Sequence, residues 1–113
     1  MSPITTHILD IARGQPAANV SVRLDKVEGD VLKKMAEACT NLDGRLVDWW
    51  TPDSLSPGLY QLRFETSSYF KSIGCGKYFY PEVTIRFEVS DPTAHYHVPL
   101  LISPFGYSTY RGS

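Results

Sequence analysis

A chain of 113 residues with a formal net charge of -1 can build one hydrophobic core but not two, so residues 1–113 are expected to form a single domain. Lys and Arg number 11 against 12 Asp and Glu. With no basic stripe among them, the clustered cationic face that nucleic-acid binding needs is excluded. The two cysteines, the lack of a charged leader before an apolar segment and the lack of any bilayer-length apolar run predict a cytoplasmic protein with no membrane association.

Ile4 to Asp10 alternates, with Ile4, Thr6 and Ile8 on one side and Thr5, His7 and Leu9 on the other. That period predicts a half-buried strand. Arg13-Gly14-Gln15-Pro16 marks a turn. Val20, Val22 and Leu24 predict a second strand, and Glu28-Gly29-Asp30 turns the chain again. Val31 to Thr40 reads two ways. Leu32, Met35 and Cys39 would share a helical face, but all-β surroundings favour a strand, because tertiary context overrides propensity. Asn41-Leu42-Asp43-Gly44 carries the Asp-Gly pair that hairpins favour, and Arg45 follows it directly. Leu46 to Trp50 is a short apolar run, with Trp49-Trp50 read as core or interface.

Tyr60, Leu62 and Phe64 form the clearest inward face, opposed by Gln61, Arg63 and Glu65. Ser67 to Ile73 predicts one or two helical turns capped by Gly74. Val83, Ile85, Phe87 and Val89 predict another strand, followed by the turn Asp91-Pro92. In the last strand Tyr96, Val98, Leu100 and Ile102 face in, and His95, His97, Pro99 and Leu101 face out. Ser103-Pro104-Phe105-Gly106 breaks it before Tyr107 to Tyr110. Seven or eight short strands at regular spacing predict an all-β fold. It is a two-sheet antiparallel β-sandwich of Greek-key type with one short helix.

Three histidines stand out, His7, His95 and His97. Each also reads as an ordinary surface residue. His7 and His97 lie opposite apolar faces, so both rings point out of their own sandwich. At a subunit interface they would share a partly dry cleft, where a neutral imidazole can take a proton from water. His95-x-His97 has the spacing of two zinc ligands on one strand face, with His7 as a third. No carboxylate or cysteine is spaced to complete such a site, so metal-free chemistry is favoured. Arg45 is either a solvated charge or a planar fork for a polar, partly anionic heterocycle. Ser113 lacks the strand-turn-helix elbow of an acyl-enzyme nucleophile, but its hydroxyl or the terminal carboxylate can orient a water. Tyr110 and Arg111 are either packing and charge or the walls of a ligand site.

Four ordered blocks carry a family resemblance. They are Thr6-His7-Ile8-Leu9-Asp10 with Gly14 and Pro16; Thr40-Asn41 with Asp43-Gly44-Arg45; His95 to Leu101 followed by Ser103-Pro104 and Tyr107-Ser108-Thr109; and Tyr110-Arg111-Gly112-Ser113. Together they resemble the 5-hydroxyisourate hydrolases, the transthyretin-related enzymes of urate breakdown, along the whole chain. The resemblance implies a transthyretin fold assembled as a homotetramer, a dimer of dimers with active sites in the channel between them. It implies a small-molecule substrate, no cofactor, and hydrolytic ring opening of 5-hydroxyisourate to 2-oxo-4-hydroxy-4-carboxy-5-ureidoimidazoline. The matching positions are His7, Arg45, His97 and Tyr110 to Ser113. One imidazole is expected to activate water, with His97 favoured over His7, and Arg45 to stabilise the developing charge. Ser113 is expected beside the reacting water, with Tyr110 and Arg111 against the substrate, Arg111 anchoring the tail by an ion pair. His95 receives no catalytic role. The alternative is a transthyretin-like carrier of the same fold. The hormone carriers have Lys, Glu and Thr where this chain has His7, Arg45 and His97, and lack the final tetrapeptide, which favours the enzyme.

Overall fold

The computed structural model describes all 113 residues. In chain order it has β1 (Ile4–Asp10), β2 (Gln15–Pro16), β3 (Ser21–Glu28), β4 (Val31–Cys39), β5 (Arg45–Leu46), β6 (Gly58–Phe64), α1 (Thr66–Ser72), β7 (Val83–Val89), β8 (Tyr96–Ser103) and β9 (Gly106–Thr109). One sheet runs β2-β1-β8-β9, with β5 also paired to β1; the other runs β4-β3-β6-β7. Every pair is antiparallel except β1 with β8, which run parallel. This is the expected two-sheet sandwich, with one parallel pair that side-chain alternation cannot report.

Alternation places the core. Ile4 and Ile8 of β1 and Leu100 and Ile102 of β8 face Val22, Leu24, Tyr60, Leu62 and Phe64 of the second sheet, all nearly or fully buried. Each such side chain contributes about 1.5–3 kcal/mol by burial. The residues between them point outward, and on the first sheet that outward face carries the histidines.

β4 forms as a strand despite its helical composition, because its whole length pairs with β3, with one register shift between Leu24 and Asp25. It is a sheet edge, and Lys33, Lys34 and Glu37 there discourage further pairing. The helix begins and ends one residue earlier than expected. Gly74, at φ 78°, ends it: its N–H donates to the Lys71 carbonyl at 3.1 Å, and the Cys75 N–H donates to the Phe70 carbonyl at 2.8 Å. That pair of bonds is a Schellman stop. Tyr69 docks the helix on the end of β1 by donating to an Asp10 carboxylate oxygen at 2.7 Å. Burial, with that carboxylate second, pushes the Tyr69 phenol up to about 12. Trp49 and Trp50 are packed against the core; the Trp49 indole N–H donates to the Ile4 carbonyl at 2.8 Å. No helix is long and apolar enough to cross a membrane.

Candidate active site

The outward face of the first sheet is laid out in rows by strand register. Leu9 lies between Pro16 and Leu101. His7 lies between Arg45 and Pro99. Thr5 lies opposite His97, and His97 is bridged in turn to Gly112. The parallel pairing of β1 and β8 is what brings residues from the two ends of the chain side by side.

Arg45 owes its place to the turn before it. The Asn41 side-chain oxygen accepts from the Asp43 and Arg45 N–H groups, both at 2.9 Å. Gly44 has φ 72°, and a Cβ there would stand 2.5 Å from the Ile8 carbonyl oxygen and 3.1 Å from the Ala17 nitrogen. Only glycine lets the turn press so closely against β1. The Ile8 N–H donates to the Gly44 carbonyl at 2.8 Å, and the next residue, Arg45, therefore pairs with His7.

The end of the chain closes the other side. The Gly112 N–H donates to the His97 carbonyl at 2.8 Å. A Cβ on Gly112 would lie 2.5 Å from His97 Cδ2 and 3.2 Å from Pro99 Cγ, so the tail lies directly against the ring. This cover explains why Pro99, expected to face outward, is buried. An ion pair is the expected anchor of the tail at Arg111, but the contacts made by that side chain are different. Its guanidinium carbon lies 4.4 Å from the centre of the Tyr96 ring, and Nη2 donates to the His95 carbonyl at 3.3 Å. A cation over an aromatic face does the anchoring instead.

Met1, Thr5, Arg45, Val47, His95, His97 and Ser113 line a concavity of about 190 Å3. His7 adjoins it through its pairing with Arg45. Tyr110 and Arg111 lie elsewhere, in a larger groove of about 300 Å3 with Ile85, Phe87, Glu88 and Tyr96 among its walls. That groove holds no imidazole. The structure thus brings Arg45, His97 and Ser113 together with His7 beside them, and does not bring Tyr110 and Arg111 to the same concavity.

Both flanking imidazoles are shifted below the ordinary histidine value. His97 is lowered by burial, then by the charges of Arg45, His95 and His7. His7 is lowered by burial and by Arg45, with Asp43 opposing. Neutral rings with free lone pairs are the result at pH 7, the form a general base requires. No group of three or more His, Cys, Asp or Glu side chains is arranged to hold a metal ion. Instead the rings of His95 and His97 stack, and one nitrogen of each approaches the Thr5 hydroxyl, at 3.0 and 2.8 Å. Thr5 was on the right face by alternation, but nothing in the sequence marked it as the point where two rings meet.

Residues 4–112 match the pattern of a protein family described as the HIUase/Transthyretin family. The chain belongs to that family. Among HIUase/Transthyretin relatives, the 5-hydroxyisourate hydrolase of Deinococcus radiodurans is 47% identical, over 97% of this chain and 95% of its own. The solved structure of Klebsiella pneumoniae 5-hydroxyisourate hydrolase superposes with a TM-score of 0.83 at 39% identity, covering 97% of this chain and 98% of that one. Sea bream transthyretin in complex with thyroxine gives 0.89 at 27% identity, covering 98% and 95%. A 5-hydroxyisourate hydrolase and a transthyretin in complex with thyroxine therefore share this chain's fold, so function must be argued from the side chains of the site.

Proposed function

We propose that this chain is a 5-hydroxyisourate hydrolase, opening its substrate to 2-oxo-4-hydroxy-4-carboxy-5-ureidoimidazoline without a metal or cofactor. The observation that carries the reading is the conjunction of His97, Arg45 and His7 on one outward face, with both imidazoles held neutral. The matched hydrolases supply the substrate. His97 takes a proton from water, and the resulting hydroxide attacks a ring carbonyl. Arg45 stabilises the oxyanion. With His7 neutral, the acid for the leaving nitrogen is the His97 imidazolium itself, and the C–N bond breaks as that proton is returned. His7 positions the ring, and Ser113 orients the water. Arg111 fixes the tail through the Tyr96 ring and the His95 carbonyl, and Tyr110 and Arg111 reach substrate from a neighbouring subunit.

The whole chain, residues 1–113, acts as one domain in a homotetramer. Leu9 and Leu101, half-exposed in the isolated subunit beside a polar site, support a covering partner. Two unpaired cysteines, Cys39 exposed and Cys75 partly so, support a cytoplasmic location, which subcellular fractionation checks. A carrier of the same fold is the second reading, favoured by the likeness to thyroxine-bound transthyretin. It gives no use to two neutral imidazoles around an arginine.

The test follows the absorbance of freshly generated 5-hydroxyisourate with and without chelator-treated protein. Turnover is expected in both preparations. His7→Ala, Arg45→Ala and His97→Ala should each lower it by roughly a hundredfold or more with little change in Tm, since these side chains lie outside the core. A wild-type rate in His97→Ala would overturn the assignment, and thyroxine binding without turnover would favour the carrier.

A further inference from the structure

Thr5 lies on the outward face of its strand yet is only 3% exposed. Its hydroxyl oxygen lies 3.0 Å from His95 Nε2 and 2.8 Å from His97 Nδ1. The two rings stack with centroids 6.4 Å apart and planes 17° from parallel. A hydroxyl has one proton and two lone pairs. If its proton serves one ring, the other ring must bring an N–H. When both contacts use the hydroxyl fully, the two imidazoles hold opposite roles: one is a donor at Thr5 and the other an acceptor.

We propose that Thr5 is a positioning residue that holds His97 as its Nδ1–H tautomer and joins it to His95 in a short proton relay. This rests on the reading of His97 as the base. His97 Nδ1–H donates to Thr5 Oγ, and the Thr5 O–H donates to His95 Nε2. His97 Nε2 keeps its lone pair, the arrangement a fixed cation such as Arg45 in the same concavity favours. The tautomer of a histidine is set by the bond its second nitrogen makes, and here that bond is to a buried hydroxyl.

The relay also has work to do during turnover. Once His97 Nε2 has taken the water proton, the ring is an imidazolium whose charge is opposed by Arg45 of β5, by His95 just before β8 and by His7 of β1. The Nδ1 proton can then pass to Thr5 Oγ while the Thr5 proton passes to His95 Nε2. One N–H bond breaks at His97 and one forms at His95, and the hydroxyl is unchanged. The positive charge then sits on His95, which is exposed and well solvated. The reverse shift restores the His97 imidazolium as it protonates the leaving nitrogen. His95 thus becomes a second positioning residue, although the family resemblance assigns it no catalytic role.

The test reads the tautomer directly, without substrate. Nitrogen-15 imidazole spectra of the full chain at pH 8 should show His97 protonated at Nδ1. Thr5→Val should move that proton to Nε2 and lower kcat/KM by about a hundredfold, mainly in kcat. Thr5→Ser should recover the tautomer and most of kcat. His95→Phe, which keeps the ring stack and loses the acceptor, guards against a Thr5→Val protein that fails to fold; it should lower both the Nδ1–H population and kcat. His97 found as Nε2–H in the wild type would overturn the proposal, as would unchanged tautomer and kcat in Thr5→Val or His95→Phe. His97 found as Nδ1–H in a protein that does not turn over 5-hydroxyisourate would support the role of Thr5 and remove the hydrolase reading.

Discussion

His97 and His7 both sit below the ordinary histidine value of 6.5, pushed there first by burial and then by Arg45. The direction fixes a pH profile. The base must be neutral to act, so kcat/KM should hold level from mildly alkaline pH through neutrality. It should then fall only at a pH below that of a free imidazole. A fall centred above 6.5 would contradict the shift. The same direction fixes the sign for stability. The fold prefers the neutral rings, so their contribution is complete above 6.5 and is lost as pH falls through the lowered native values. At this scale the preceding Asp-Gly turn marked Arg45, and alternation made His7 and His97 legible as outward residues. It did not reveal Thr5, because the bridge to His97 spans 92 positions and depends on register between strands.

The tail and the turn at Asn41 to Gly44 are the two elements that set the site, and each works through a glycine. Gly112 is the easier to test, because its backbone is outside the left-handed region where only glycine is comfortable. Gly112→Ala should fold normally. The added carbon, 2.5 Å from His97 Cδ2 with Pro99 close behind, must displace either the ring or the tail. A displacement near 1 Å costs on the order of a hundredfold in rate, so kcat/KM should fall by roughly ten- to a hundredfold while Tm stays within a few degrees. Near-normal turnover would show that the tail only borders the site. Strand positions and the helix were readable because periods of two and of about one turn leave clear traces in sequence. Pairing direction was not readable, since parallel and antiparallel strands alternate alike. The anchor of Arg111 was also hidden: an arginine is equally suited to a carboxylate and to the face of Tyr96, and only the fold decides which is near.

The whole subunit presents Leu9, Leu101, Pro16 and the histidines on one side, a mixed surface that a second copy would cover. Sedimentation at micromolar concentration should show a tetramer, and dilution that dissociates it should abolish activity. A fully active monomer would contradict this. The parallel pairing of β1 with β8 has another consequence, in the order of events by which the chain is made. The second sheet is built from residues lying between these two strands, so it can form before β8 exists. β1 cannot find its central partner until Thr5 is joined by His97, 92 positions later. At about 5–20 residues per second, a nascent β1 waits roughly 5 to 20 seconds on the ribosome with that edge open. Contacts of such long range also make for slow folding. The apolar face of β6, once made, lacks its cover for the remainder of that interval. The interval of greatest exposure to aggregation ends with the strand pairing that also places His97 beside Thr5.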